Sequence, residues 1–384
     1  MTTASITAPV HAITDQIPAI DSVTTQIIDR HYTFNVLFDV AYGIPNANND
    51  GTLRITRTTE KNIISDSCVK RWIRDFVIAL QRSGTDSLAA LLKQTPFQLL
   101  YVDYDASQED RNLESKLGQK LTPLQNIDKT DVQAGKAKKA DDEKAKFQKK
   151  EQRRTLVAKD FWDVRVFGCP FMLDPKITPG RFVGTIQIPP IVSIDPVDTI
   201  ELGVTSSVYW KEKKEEKKEA KGKRKQANDE MPEEEKQVIS ISARGGSEFG
   251  EREILEYALY RMNMSVFPHY AARNQTSFLD LAIVAMAIKN MLQFNVSTTK
   301  GSMSLRSFNV IEHPVGLCSY QHGDISSVMH VDPLTQNDGA SVYPKNFNDY
   351  EGRIHCDSDN LPDDVIFRDL LKEQISVNTF PFKR

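Results

Sequence analysis

Residues 65–76 read Ser-Asp-Ser-Cys-Val-Lys-Arg-Trp-Ile-Arg-Asp-Phe, and the loop before them, residues 43–50, reads Gly-Ile-Pro-Asn-Ala-Asn-Asn-Asp. From residue 68 to residue 80, apolar side chains recur every three or four positions, which predicts an amphipathic helix over 66–82. Ser65 and Asp66 are residue types that favour a helix N-cap. Lys70, Arg71 and Arg74 lie three or four residues apart and should share one side of that helix.

This cationic helix edge has two interpretations. Most charge runs of this kind are solvated faces with no ligand. A fixed row of cations beside a Gly/Pro/Asn loop is also a suitable place to bind the phosphodiester backbone of a nucleic acid.

The charge is distributed unevenly along the 384 residues, a length that suggests one large domain or two small ones. The formal net charge is only -3, yet residues 136–154 and 211–225 each carry nine Lys or Arg against four Asp or Glu. Residues 320–384 carry eleven acidic and six basic residues. The chain therefore has basic insertions in an acidic frame, and such Lys/Glu tracts are more typical of solvated linkers than of binding surfaces.

Cysteine usage and hydropathy indicate the compartment. Cys68, Cys169, Cys318 and Cys356 show no paired spacing, which favours a reducing environment. No apolar run approaches the ~18 residues needed to cross a bilayer, and the start of the chain lacks a signal-peptide pattern. We therefore expect a cytoplasmic protein with no membrane partner. Cys318 lies close to His322 but lacks a second ligand pair, so no metal or other cofactor is expected.

The predicted elements follow a βαββαβ order. Strands are expected at 32–40, 161–170, 257–267 and 304–311, and helices at 66–82 and 277–293, the second capped by Ser277. This order is that of an α+β, ferredoxin-like or RRM-like fold.

The remaining segments are expected to be additions to this fold. An N-terminal arm, 1–29, precedes a palm, 30–313, which carries a helical insertion at about 84–158 and a β-hairpin at about 198–256. The hairpin strands are expected near 200–210 and 238–244, and the charged tract 211–237 between them is too polar to form a core, so it should be dispensable for folding. An acidic extension, 314–384, is expected to contain a short helical piece near 362–373.

Several motifs occur in a consistent order within this frame: Phe-Asp-Val at 38–40, Ile-Pro-Asn-Ala-Asn at 44–48, the helix 66–74, Asp-Val-Arg-Val-Phe-Gly at 163–168, Ser-Ile-Asp-Pro-Val at 193–197, Leu-Tyr-Arg at 259–261 and the stretch 294–306. Through them the chain resembles the repeated backbone subunit of type I CRISPR Cascade complexes, a member of the RAMP superfamily. The type I-C form is the most similar and type I-B is next. The loop 44–48 keeps Pro45 and Asn46 but lacks the Gly and Asp that follow them in the family.

The resemblance implies a non-enzymatic subunit that polymerises along a CRISPR RNA and supports base pairing of the guide with target DNA. The implied partners are CRISPR RNA, target DNA, further copies of the chain in a helical filament and other Cascade subunits. The insertion at 84–158 corresponds to the family's fingers and the hairpin at 198–256 to its thumb.

The resemblance also implies a set of RNA-binding residues. For Arg165, the alternative to an RNA contact is a cation at the edge of the sheet or a structural ion pair. For Lys300, the alternative to an RNA contact is an ordinary loop lysine. A cation beside backbone N–H groups in a loop of small residues is nevertheless suited to binding a phosphate. The full predicted RNA-binding set is Asn46, Arg54, Lys70, Arg71, Arg74, Arg165, Thr298, Thr299 and Lys300.

Alternative functions remain open at this point. One alternative is the same subunit serving in guided transposition or in a nuclease-free effector. A ribonuclease of the superfamily would need metal-binding carboxylates, for which Asp39, Asp163 and Asp195 are candidates. The acidic extension either contacts a basic tract of the next copy or covers its own copy.

Overall fold

A computed structural model describes residues 22, 25–83, 139–171, 180–205, 249–297, 299–315, 328–334, 342–358 and 361–382. The strands are β1 (Arg30–Gly43), β2 (Ile63–Ile64), β3 (Gly168–Cys169), β4 (Phe182–Val183), β5 (Ile186–Gln187), β6 (Ile191–Ser193), β7 (Thr199–Thr205), β8 (Phe249–Val266), β9 (Ser302–Val315), β10 (Met329–Val331), β11 (Ile354–Cys356) and β12 (Ile366–Asp369). The helices are α1 (Asp66–Ser83), α2 (Lys139–Asp160), α3 (Trp162–Phe167), α4 (Pro268–Asn274) and α5 (Phe278–Phe294), and a 3-10 turn spans Phe347–Tyr350.

One large antiparallel sheet organises these elements, in the order β12-β9-β1-β8-β6-β2, with β5 and β7 also paired to β8. The central strand β1 pairs with β8 on one side and β9 on the other, so that Phe38 lies opposite Tyr260 and Leu305. Every residue from 31 to 40 is buried, which shows that both faces of β1 are covered. The mixture of helices with a large antiparallel sheet confirms the α+β class.

The first sheet face packs against α1 and α5. Phe38 lies edge-on to Trp72 of α1, with ring centroids 6.3 Å apart, and stacks on Tyr260 at 5.2 Å. Burial of a side chain of this size contributes about 1.5–3 kcal/mol. Ser277 caps α5 as predicted, because its hydroxyl accepts a hydrogen bond from the Asp280 N–H while the Asp280 carboxylate accepts one from the Ser277 N–H.

The opposite sheet face is covered by the chain's own C-terminal residues. Leu37 and Leu259 pack with Met329, Val331 and Tyr350 there. On the helix side, the final buried residues, including Leu370, Phe380 and Phe382, join the main core. The described parts of the extension therefore pack on their own copy.

Two predicted elements are wrong. The strand expected at 161–170 is mostly helix α3, in which all six residues are buried, and it ends at Gly168 with a φ of 78°. Because all six residues of α3 are buried, polar Asp163 and Arg165 included, the alternation of apolar and polar side chains did not mark a strand with one solvent-facing side. The helical piece expected near 362–373 contains strand β12 instead, which pairs with β9 and extends the sheet.

The hairpin predicted at 198–256 is described only at its base. There β7 and the first residues of β8 pair antiparallel, from Thr199 opposite Leu255 to Thr205 opposite Phe249. The tract 211–237, the expected strand 238–244, most of the expected fingers and most of the N-terminal arm lie outside the described residues. Within the part of the chain that the structure describes, no helix is long and apolar enough to span a bilayer.

Candidate nucleic-acid interface

Two loops interlock at the end of β1. The Ile44 N–H donates to the Thr299 carbonyl over 2.7 Å, which joins the loop after β1 to the loop before β9. A Cβ atom at Gly43 would overlap the Lys300 carbonyl, and one at Gly301 would overlap the Ala41 carbonyl. Only glycine at both positions allows the backbones to approach this closely.

The loop at 44–54 is also fixed to the start of α1. The Asn46 side-chain oxygen accepts a hydrogen bond from the Ser65 N–H at 2.9 Å. Arg54 Nε donates to the Ala47 carbonyl at 3.0 Å, which holds the loop closed. Asn46 and Arg54 therefore shape the loop that the sequence analysis identified.

Three predicted cations gather around Cys68 of α1. Burial raises the pKa of the Cys68 thiol to about 11, and the nearby charges of Lys300, Arg54 and Arg71 oppose that rise. Sγ also lies 3.6 Å from the Pro45 carbonyl oxygen, to which it donates. The thiol is thus protonated at neutral pH, and the distinctive property of this location is the convergence of cations from three separate segments.

Lys300 is held in a half-buried position. Its Nζ donates to Asn295 Oδ1 at 2.7 Å and lies 5.9 Å from the centre of the Trp72 ring. Burial lowers the pKa of Lys300, and the positive charge of Arg71 lowers it further, whereas Cys68 and Asp75 oppose this shift. A bound phosphate would stabilise the charged ammonium and so compensate for its desolvation.

Arg71 and Arg252 supply more exposed charge. The Arg71 side chain is 53% exposed and makes a long ion pair of 3.6 Å with Asp75. Arg252, on β8 at the base of the hairpin, is exposed and donates to Thr299 Oγ1 at 2.9 Å. The sequence analysis missed Arg252, because it belongs to no motif and is separated from Thr299 by 47 positions.

Exposed apolar groups lie in or directly beside the same two loops. Tyr42 is 57% exposed and adopts a left-handed conformation with φ 52°, directly before Gly43. Phe294 and Val296 are 56% and 61% exposed, and Phe294 lies edge-on to Phe76 at 5.3 Å. Cations combined with exposed aromatic rings are typical of surfaces that bind single-stranded nucleic acid. We call this surface the loop face; it comprises Tyr42, Arg54, Arg71, Arg252, Phe294, Val296, Thr299 and Lys300.

The remaining predicted residues either form ion pairs within the chain or lie outside the loop face. The Lys70 side chain is only 17% exposed and bonds Asp66 at 2.8 Å, within its own helix. Thr298 lies outside the described residues. The structure brings Thr299, Arg54, Arg71 and Lys300 together, with Asn46 behind them.

Arg74 and Arg165 are buried, so the prediction that they present cations to RNA does not fit their positions. The Arg74 Nε bonds Asp163 at 2.9 Å, with side-chain exposures of 9% and 1%. The guanidinium of Arg165 binds both oxygens of Asp280, at distances from 2.8 to 3.2 Å, and also donates to the Ala158 carbonyl. Because Asp280 also completes the capping box with Ser277, Arg165 fastens α3 to the start of α5.

The three carboxylates considered for metal-dependent cleavage have separate internal partners. Asp39 binds Arg306 at 2.7 Å and accepts a hydrogen bond from Tyr257. Asp163 binds Arg74, and Asp195 accepts hydrogen bonds from the Tyr350 hydroxyl and the Leu334 N–H. Among the described residues, these three aspartates do not form a group that could hold one metal ion.

A family model described as "CRISPR-associated protein Cas7" matches residues 30–356. Similar solved structures include a chain of a "CRISPR RNA-guided surveillance complex, pre-nicking", with 12% identity, a TM-score of 0.42 and coverage of 90% of this chain and 94% of that one. A chain of a "CRISPR RNA-guided surveillance complex" has 10% identity, a TM-score of 0.37 and coverage of 88% and 87%. No curated protein matches the chain.

Proposed function

The chain belongs to the CRISPR-associated protein Cas7 family, and from this premise we propose that it is a non-enzymatic backbone subunit of a type I Cascade, most similar to the type I-C form and next to type I-B. Its ligand is CRISPR RNA. The observation that carries the proposal is the family match over residues 30–356, a range that contains the whole loop face.

The composition of the loop face supports RNA as the ligand. Arg71, Arg252 and Lys300 offer cations to phosphates, and Tyr42 and Phe294 offer rings on which bases or riboses can pack. A guide-binding subunit must accept any spacer sequence, so its contacts should be to the backbone, while base pairing with target DNA reads the sequence.

The architecture supports the same assignment. Four strands in the order β9-β1-β8-β6, with α1 and α5 on one face, would form a ferredoxin-like palm. The paired β7 and β8 would form the base of the thumb, and residues 84–158 would supply the fingers. Arg252 connects the two regions, because it lies on the thumb base and bonds the loop before β9.

Polymerisation along the guide requires a head-to-tail contact between copies, which extends without closing. The thumb and fingers are the additions to the palm that are available for it, together with contacts to other Cascade subunits. The acidic extension is a less suitable contact, because its described parts pack on their own copy.

The absence of enzymatic activity is part of the proposal. Asp39, Asp163 and Asp195 each pair with internal partners, which favours structural roles. The alternative to a non-enzymatic subunit is a ribonuclease, and the experiment below distinguishes the two. A role in guided transposition or in a nuclease-free effector would use the same RNA interface.

Co-expression with a CRISPR array, followed by sequencing of the RNA that co-purifies, tests the proposal. We expect array-derived RNA with unrelated spacers to be bound equally, and the mass of the complex to rise in steps as the RNA lengthens. The RNA should stay intact during incubation with Mg²⁺ or Mn²⁺.

A matched pair of variants gives the experiment a control. Arg71→Gln should reduce the co-purified RNA, whereas Arg273→Gln should not, because Arg273 is an exposed arginine of α4 that pairs with Glu151. Purification without array RNA, or metal-dependent cleavage of the RNA, would contradict the proposal.

A further inference from the structure

Two histidines face each other across a small sheet in the C-terminal extension. Strands β10 and β11 pair antiparallel, and His330 lies directly opposite His355 in the register. Their neighbours Met329, Val331 and Ile354 pack onto the main sheet. Because side chains alternate between the faces of a strand, the two imidazoles lie together on the outer face of this two-stranded sheet.

Asp332 completes the group. It lies two positions after His330, and its N–H donates to the Arg353 carbonyl, which continues the strand pairing by one residue. The Asp332 carboxylate is therefore on the same face as His330. Its Oδ2 is 3.0 Å from His355 Nε2.

The distances suit a shared metal ion. Ligand atoms of His330, Asp332 and His355 all lie within 4.8 Å of one another. With bonds of about 2.0–2.1 Å, ligands of a tetrahedral zinc ion are about 3.3 Å apart. The His355–Asp332 separation is already close to this value. The two imidazole rings lie 4.6 Å apart at an interplanar angle of 20°, so binding one ion requires the side chains to rotate until a nitrogen from each points to the same position.

We propose that His330, Asp332 and His355 form a binding site for a divalent transition-metal ion, with Zn²⁺ as the best match. Two imidazoles and one carboxylate are a donor set for zinc and similar ions, whereas Mg²⁺ and Ca²⁺ require mainly oxygen ligands. The three side chains are half-buried or exposed, so ions enter from solvent and water completes the coordination.

The site is separate from the loop face and does not depend on the proposed function. Its consequence is structural, because the ion joins His330 and Asp332, on and directly after β10, to His355 on β11. A ligand that binds only the folded chain raises its apparent stability by RT ln(1 + L/Kd), where L is the free ligand concentration. The metal would therefore stabilise the pairing of β10 with β11.

The test uses the full chain, without an affinity tag, after treatment with EDTA and dialysis. Zn²⁺ is titrated in the presence of excess Mg²⁺, and bound zinc per chain and the thermal unfolding midpoint are measured. We expect one equivalent of zinc to bind at this site. The thermal midpoint should rise by a few degrees when the free zinc concentration is about 100 times the dissociation constant. Co²⁺ should give a visible ligand-field spectrum.

Variants identify the ligands. His330→Gln and His355→Gln should each weaken binding of this equivalent by at least about tenfold and remove the rise in the midpoint. His269→Gln, at an exposed histidine of α4, and Cys356→Ser, at the exposed thiol beside His355, should leave both unchanged. The proposal would be overturned if His330→Gln and His355→Gln had the same zinc stoichiometry, zinc affinity and thermal midpoint as the unaltered chain.

Discussion

Replacing Arg165 with Met distinguishes a structural cation from an RNA contact. The Arg165 and Asp280 side chains are 5% and 2% exposed, and Arg165 makes bonds to both carboxylate oxygens. The substitution keeps most of the apolar volume but removes the charge. Asp280 then remains buried with only its bonds to Ser277, and the Ala158 carbonyl loses its donor.

The expected loss of stability follows from these contacts. Removing one partner of a buried ion pair leaves an uncompensated charge and typically costs about 3–5 kcal/mol. Because two Ser277 donors still bind the carboxylate, we expect the lower end, about 3 kcal/mol. A double-mutant cycle with Asp280→Asn should give a coupling energy of about 2–3 kcal/mol.

Urea unfolding followed by tryptophan fluorescence measures this loss, since Trp72 and Trp162 are buried. RNA affinity is measured in parallel, without urea, on the fraction that remains folded. It should stay within about twofold of the affinity of the unaltered chain. A stability loss below about 1 kcal/mol, together with weaker binding of every RNA, would refute the reasoning and indicate that Arg165 contacts RNA.

Three further predictions concern the loop face and the core. Replacing both Arg71 and Arg252 with Gln should lower the slope of log affinity against log salt by up to about 1.4 for single-stranded RNA. Gly43→Ala should cost about 1–3 kcal/mol and weaken RNA binding, because the new methyl group overlaps the Lys300 carbonyl and separates the two loops. Burial lowers the pKa of His313 from 6.5 to about 4. The unfolded chain therefore binds a proton that the folded chain excludes, and stability should fall by about 2 kcal/mol, discounted for screening, as pH drops from about 6.5 to about 4.

Each of these has its control. For the salt slope, Arg273→Gln should behave like the original chain, and an equal change there would show that the effect is one of net charge. Gly203→Ala should be nearly neutral, because a Cβ at that position meets no atom within 4 Å; a similar loss there would remove the steric explanation for Gly43. His313→Gln should lose the pH-dependent difference in unfolding free energy, and an unchanged profile would assign it to other groups.

The sequence predicted those elements whose periodicity or capping residue can be recognised locally. Helix α1 and strands β1 and β9 follow clear periodicities, and Ser277 is a standard cap, so their positions agree closely with the structure. Helix α3 was missed because its six residues make fewer than two turns, which is too short for the helical period to be recognised. Strand β12 was missed because it is stabilised by its pairing with β9, a contact distant in the sequence.

The candidate site was predicted in part for a related reason. The motifs identified Arg71 and Lys300, which the fold brings together around Cys68. Nothing in the local sequence of Arg165 distinguishes an exposed cation from one paired with Asp280, 115 positions away. Arg252 joins the site only because β7 and β8 bring the hairpin base beside Thr299.

Photochemical crosslinking is the most direct test of the claim that RNA runs across the loop face. RNA with 4-thiouridine at successive positions would be bound to the full chain, irradiated, and the crosslinked peptides identified by mass spectrometry. The account predicts adducts in peptides containing Tyr42, Arg252 and the segment 294–301, with the same peptides for unrelated spacers. Adducts confined to other surfaces, such as α4 around His269, with none on the loop face, would contradict it.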